Sequence, residues 1–270
     1  MSERSFTTEN IDFYLRELAK AYKKMGGKDT PAEIILIGGA AILANYGFRE
    51  MTYDMDAIIN ASSAINDAIR RVGDEYHLPV GWLNTDFRHT KSFTPKLIQF
   101  SKYYKTFSGI LSVRTITGEY LIAMKMVSAR QYKNDLSDIV GIVGEHQHNN
   151  NPLTLEQIDR AVCDLYGSWS VIEYDTKQLL ERVLALPDAF AVYQEYRNAE
   201  LEAKDLLVTF EKKYPKVLQE SNLKDILQQA RKKKQEETRY CNMEDLMERN
   251  GRASGEEGTA EMKKQEIRLR

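Results

Sequence analysis

The hydrophobic pattern of the chain begins with helical spacing. Ile11, Tyr14, Leu15, Leu18 and Tyr22 recur on one helical face, so an amphipathic helix is predicted near the start. The pattern then changes to a short, almost wholly apolar run over residues 33–37, which is typical of a buried strand. The first half of the chain therefore mixes helices with strands.

The same changes of period continue to about residue 145. A second strand is predicted over 52–60, and the run 78–83 fits no single element. Further strands are predicted over 97–104 and 109–117, and helices over 40–46, 62–76, 119–130 and 135–145. This alternation predicts an α/β or α+β fold, with a mixed sheet flanked by helices.

A polar segment, 146–152, ends in proline and marks a candidate domain boundary. Beyond it the pattern is almost entirely helical, over 154–171, 176–186, 189–213 and 222–240. The last residues have almost no apolar content, which predicts disorder. We therefore expect a sheet domain over 1–148, a helical domain over 149–249 and a disordered tail over 250–270.

Composition narrows the class of protein. Apolar residues make up 42% and charged residues 29%, which fits a soluble chain with a core. The net charge of −2 gives no overall attraction to nucleic acid, although a local basic cluster such as 231–234 could grip RNA. The two cysteines form no ligand pattern, and neither a signal peptide nor an apolar run of membrane-spanning length is recognisable. We expect a cytoplasmic protein with no membrane partner.

Candidate chemistry begins where the first strand ends. Gly38 and Gly39 follow the strand directly and lead into a helix. Glycines there let a ligand approach the main chain, and the helix start offers free N–H groups to a phosphate. A plain tight turn explains two glycines equally well, so a second signal is needed.

That second signal is the pair Asp54 and Asp56 on the next predicted strand. Residues i and i+2 of a strand point to one face, so the two carboxylates converge. Like charges held together raise a pKa unless a cation lies between them. Hard oxygen ligands of this kind suit Mg²⁺, which also takes substrate phosphates as ligands. A solvated strand end with two aspartates is the plainer alternative.

The order G-G-A-A followed by T-x-D-x-D resembles the signature of polymerase-β-type nucleotidyltransferases, and particularly their bacterial AbiEii-like, minimal branch. The resemblance covers roughly residues 30–145. It implies that Gly38 and Gly39 hold the phosphates of a nucleoside triphosphate such as ATP, and that Asp54 and Asp56 bind magnesium. Arg49, between the glycines and the acids, is a further candidate phosphate contact or else faces solvent.

A third carboxylate normally completes the site in this superfamily. Asp86 is the first candidate, because it follows the helix after the acid pair, and Glu119 is the second. Each also has an ordinary explanation, Asp86 as a loop residue and Glu119 as an acid that favours a helix start.

The predicted helix 119–130 is apolar nearly all round but carries Lys125 in its middle. A lysine there must reach solvent or meet an anion, which could be a triphosphate or the acid pair. AbiEii-like proteins have a similar stretch, matched here by Lys125, Arg130, Asp135 and Asp138. We expect Lys125 and Arg130 to contact phosphate, Asp135 to cap a helix, and Asp138 to pair with Lys125 or Arg130.

Together these features predict a magnesium-dependent nucleotidyltransferase. It would move a nucleoside monophosphate from a triphosphate to a hydroxyl of tRNA or other RNA, a protein or a small molecule. Toxin–antitoxin or phage-defence use is implied by the resemblance alone. Two alternatives stay open: an inactive relative that works as a binding or antitoxin-like module, and a helical scaffold acting through the second half.

Overall fold

The five strands form one mixed sheet in the computed structural model, which describes residues 5–26 and 29–234. The strands are β1 Ala32–Leu36, β2 Met55–Asn60, β3 Leu83–Asn84, β4 Ser101–Phe107 and β5 Leu111–Ile116. Their order across the sheet is β3-β2-β1-β5-β4. The almost wholly apolar run predicted a buried strand, and β1 does lie in the centre of the sheet.

Strand direction brings several strand ends to one edge of the sheet. β1 runs parallel to β5 and antiparallel to β2, while β2 runs parallel to β3. The last residues of β1 and β5 therefore lie beside the first residues of β2 and β3. The amide of Ile37 donates to the carbonyl of Asp56 at 2.9 Å, and Asp56 faces Asn84 across the β2–β3 pair. The glycine turn and the acid pair consequently meet at this edge.

The helices surround the sheet and confirm the predicted mixed α/β class. They are α1 Ile11–Lys24, α2 Gly38–Asn45, α3 Ala64–Tyr76, α4 Gly118–Ser128, α5 Asp135–His148, α6 Leu155–Tyr166, α7 Tyr174–Ala185 and α8 Phe190–Lys213. Contacts join α1 to α3, and α4 to both α5 and α6. α4 is buried through most of its length, as its uniformly apolar sequence predicted.

Several strand boundaries differ from the prediction, and β2, for example, begins at Met55 rather than at 52. β4 begins at Ser101 rather than at 97, because residues Pro95–Phe100 form a 3₁₀ helix. Proline at its first position favours a helical φ, and the Thr94 side chain accepts a hydrogen bond from the amide of Lys96. The undecided run 78–83 leads into the two-residue strand β3.

The chain divides into two compact units, residues 1–201 and 202–270. The first holds the sheet, α1 to α7 and the start of α8, and α5 extends through His148. The second holds the rest of α8 and a helix over 223–234, and Lys234 pairs with Glu202. Boundaries at 148 and 249 stay predictions, and the tail 250–270 lies outside the described residues. No described helix combines the length and apolarity that crossing a bilayer requires.

Candidate functional site

The glycine turn lies directly against Asp56. Gly38 adopts a φ of +55°, a left-handed conformation that glycine takes without strain. A Cβ built on Gly38 would lie 3.8 Å from Oδ2 of Asp56, so the turn and this carboxylate are neighbours. No side chain caps the start of α2, which leaves its first N–H groups for another partner.

Gly39 is required by its own surroundings. A Cβ there would lie 2.7 Å from Oγ1 of Thr52 and 2.8 Å from Nη2 of Arg49. Real side chains do not tolerate such distances, so packing alone accounts for glycine at this position. Its predicted contact with phosphate stays a prediction.

Asp54 and Asp56 act on each other electrostatically at the sheet edge. Asp54 precedes β2 and is exposed, whereas Asp56, the second residue of β2, is half-buried. Burial raises the pKa of Asp56, and the negative charge of Asp54 raises it further. Lys133, Arg130 and Lys125 oppose this increase through their positive charges. The two carboxylates thus occupy a common, solvent-accessible position that faces a group of cations.

Neither candidate for a third acid joins this pair. Asp86 is exposed at the start of a 3₁₀ helix, two residues beyond Asn84. Glu119 lies in the first turn of α4, where its charge acts on the Tyr46 and Tyr120 hydroxyls. In the part of the chain that the structure describes, no three His, Cys, Asp or Glu side chains gather as a metal-binding group. The centre therefore contains two carboxylates, and the role of Asp86 stays a prediction.

The cations predicted to touch phosphate belong to a network of ion pairs. Lys125 Nζ lies 2.8 Å from both Asp135 Oδ1 and Asp138 Oδ2. Arg49 Nη1 binds both oxygens of Asp138, at 2.7 and 3.0 Å. Arg130 Nε lies 2.8 Å from Asp135 Oδ2. We call these five residues the ionic network.

The anion that Lys125 needs is therefore supplied by α5. Asp138 pairs with Lys125, as predicted, but Asp135 is an ion-pair partner of Lys125 and Arg130 rather than a helix cap. Arg49 is not a solvent-facing residue, since only 13% of its side chain is exposed. Contacts of Lys125, Arg130 and Arg49 with phosphate stay predictions.

Three members of the network, Lys125, Arg130 and Asp135, are held in their charged forms because their partners shift their pKa values. Burial would raise the pKa of Asp135, but the Lys125 ammonium and the Arg130 guanidinium outweigh it and hold the pKa well below its usual range. Burial would likewise lower the pKa of Lys125, but Asp135 and Asp138 outweigh it. Three cations against two carboxylates leave the network with one net positive charge beside the acid pair. That excess favours an anionic ligand.

One residue at the site was missed by the sequence analysis. Lys133 lies in the turn before α5, and its charge acts on both Asp54 and Asp56. Partial burial of its ammonium and the neighbouring Arg130 lower the pKa of Lys133. A lysine in a polar turn has no distinguishing spacing, so only the fold reveals its place.

Comparison with known proteins gives one match. Residues 14–149 match the model of the family DUF6036, described as a nucleotidyltransferase of unknown function. The matched range contains the glycine turn, the acid pair and the ionic network. No curated protein and no solved structure matches the chain.

Proposed function

The chain belongs to the DUF6036 family of nucleotidyltransferases of unknown function, and on that premise we propose that it transfers a nucleoside monophosphate from a triphosphate to an acceptor hydroxyl. The observation that carries the proposal is the position of Asp56 against the Gly38 turn, with the charge of Asp54 and of three cations acting on it. A carboxylate pair, an uncapped helix start and excess positive charge are the groups that a magnesium-bound triphosphate requires.

The two acids fit Mg²⁺ on the chemistry of their donor atoms. Mg²⁺ is commonly held by one or two carboxylates together with substrate phosphates. The raised pKa of Asp56 reflects burial and repulsion from Asp54, and a divalent cation between the two would relieve the repulsion. When bound, the ion would neutralise charge on the phosphates and lower the barrier to attack.

The protein's own residues would bind and orient the triphosphate. The first N–H groups of α2 would donate to phosphate oxygens, and Gly38 would let the phosphates approach the main chain. Lys125, Arg130 and Arg49 would supply the positive field, already oriented by their aspartate partners. In the reaction the acceptor oxygen bonds to the α-phosphorus, the bond from that phosphorus to the pyrophosphate oxygen breaks, and the acceptor proton passes to solvent.

Label transfer tests this function directly. The full chain is incubated with each α-labelled triphosphate, Mg²⁺ and either total RNA, cell lysate or protein alone. We expect label on one acceptor class, and a loss of at least about 100-fold in Asp54→Asn, the range for removing a group that stabilises transition-state charge. Asp67→Asn removes the charge of an exposed acid on α3 that pairs with Arg70, and this matched control should stay active.

The same experiment distinguishes the acceptors and the non-catalytic alternative. RNA, protein and small-molecule acceptors separate by nuclease and protease treatment of the product. A module without catalysis would bind Mg²⁺ and triphosphate but transfer no label, which a two-carboxylate centre also permits. A toxin–antitoxin or phage-defence role belongs to the proposal only through the resemblance, and the cytoplasmic setting stays an expectation from the sequence.

A further inference from the structure

The first turn of α5 carries both acids of the ionic network. Asp135 and Asp138 project from residues 1 and 4 of that helix, so their positions depend on where it begins. The first amides of a helix have no partner within it. What satisfies these amides therefore also fixes the two aspartates.

A buried carboxylate from α8 satisfies them. Glu200 is 2% exposed, and it accepts hydrogen bonds from the Leu136 amide at 2.8 Å and the Ser137 amide at 3.3 Å. The Ser137 hydroxyl donates a third at 2.5 Å. The two amide bonds satisfy donors that have no partner within α5.

A second contact from α8 lies one turn earlier. Arg197 Nη1 donates to Oδ1 of Asn134 at 2.6 Å, and Asn134 immediately precedes α5. Arg197 and Glu200 thus hold Asn134, Leu136 and Ser137 from one helix face. The neighbours of the two aspartates that hold the cations of the site are therefore fixed by α8.

We propose that Glu200 and Arg197 are positioning residues, which fix the first turn of α5 and through it hold Lys125, Arg130 and Arg49 in the arrangement that receives the triphosphate. The last clause rests on the proposed function, whereas the positioning of Lys125 does not. This gives the start of α8 a task in the site, although it lies about 140 residues beyond the acid pair.

The chemical reactivity of Lys125 measures the positioning without any substrate. The full chain is treated with a limiting acetylating reagent, and acetylation of each lysine is followed by peptide mass spectrometry. In the wild type, Lys125 is buried between two aspartates and should react slowly, while exposed Lys102 on β4 provides an internal standard. In Glu200→Gln we expect acetylation of Lys125 to rise about tenfold, as when a partner behind a ligand is lost.

Two further variants on the same helix are measured, one as a control and one as a second test. Glu195→Gln makes the same chemical change at an exposed position and should leave Lys125 protected. Arg197→Ala should raise acetylation by a smaller factor than Glu200→Gln. Hydrogen exchange of the β1 amides, recorded on the same samples, shows whether the sheet is intact.

The outcomes separate the claims. Faster acetylation of Lys125 with unchanged exchange in β1 supports positioning, and unchanged acetylation in Glu200→Gln overturns it. If Glu200→Gln loosens β1 as well, Arg197→Ala decides: protected Lys125 in that folded variant overturns the proposal.

Calorimetry of Mg²⁺ with each triphosphate should show affinity about tenfold weaker in Glu200→Gln. A wild type that binds no triphosphate defeats the proposed function, while the acetylation result still decides the positioning.

Discussion

The acid pair and the ionic network are neighbours that are built in opposite ways. The pair comes from one three-residue segment, is partly open to solvent and brings like charges together. The network draws its members from the loop between α2 and β2, from α4 and the residues that follow it, and from α5, up to 89 residues apart. Its side chains are mostly buried, and positive and negative charges alternate. The acid pair lacks a positive charge between its carboxylates, whereas the charges of the ionic network are already paired.

This difference separates binding from support. Repulsion between Asp54 and Asp56 raises the free energy of the ligand-free protein, and a bound cation would relieve it. Perturbed pKa values of this kind cluster at functional sites. The network needs no ligand to stay charged, so it offers a fixed field. We therefore expect substitutions in the pair to change function with little effect on stability, and substitutions in the network to change both.

The largest expected effect on stability comes from breaking the network. Asp135→Asn leaves Lys125 and Arg130 without their shared carboxylate in a buried place, which should cost about 3–5 kcal/mol of unfolding free energy. Asp54→Asn, at the exposed pair, should change it by less than about 0.5 kcal/mol. Urea denaturation of both variants measures the contrast. Equal losses would remove the distinction between the two regions.

The pH dependence of stability should reveal the titration of Glu200, which binds the first turn of α5. Burial raises the pKa of Glu200 to about 7 despite its hydrogen bonds to Ser137 and Leu136, and nearby Asp138 adds to the increase. Because the folded pKa lies above the unfolded value, its contribution to stability is complete below about pH 4.5 and is lost as the pH rises through 7. A shift of this size corresponds to on the order of 3 kcal/mol.

Glu200→Gln isolates that contribution. The difference in unfolding free energy between wild type and variant should change between pH 4.5 and 7, in the direction that disfavours the wild type at higher pH. Denaturant unfolding at four pH values measures it. A difference that is constant with pH would show that Glu200 titrates normally.

The two glycines should respond differently to alanine. Gly39→Ala drives a methyl group into Thr52 and Arg49 and should cost about 1–3 kcal/mol of stability. The methyl group of Gly38→Ala would make only an ordinary van der Waals contact with Asp56, but the residue needs a positive φ, at about 1 kcal/mol. Adding Thr52→Ala should recover part of the loss in Gly39→Ala and none of that in Gly38→Ala. Thermal denaturation of the four variants tests this order.

The smallest effect concerns Lys133. Replacing it with alanine removes a positive charge that lowers the pKa of Asp56, so that pKa should rise further, with stability unchanged within about 0.5 kcal/mol. Carboxyl carbon NMR across a pH titration reports it. An unchanged Asp56 titration would place Lys133 outside the field of the pair.

Sequence reasoning reached the features that are local. The acid pair was found from its spacing, although β2 begins at Met55 and Asp54 precedes it. An apolar helix around Lys125 signalled that this lysine needs an anion, and Asp138 was expected to pair with it or with Arg130. The pairing of Lys125 with Asp135 and the bidentate partner of Arg49 were missed, because those contacts depend on how α5 packs. Glu200 gave no signal either, since one acid in a polar helix becomes distinctive only through its burial.

Calorimetric titration tests whether the acid pair and the glycine turn form one magnesium–triphosphate site. Each triphosphate is titrated into wild type, Asp56→Asn and Asp67→Asn, with Mg²⁺ and with EDTA. We expect binding of at least one triphosphate that requires Mg²⁺, survives in Asp67→Asn and is lost in Asp56→Asn. Binding by Asp56→Asn as tight as by the wild type would contradict it.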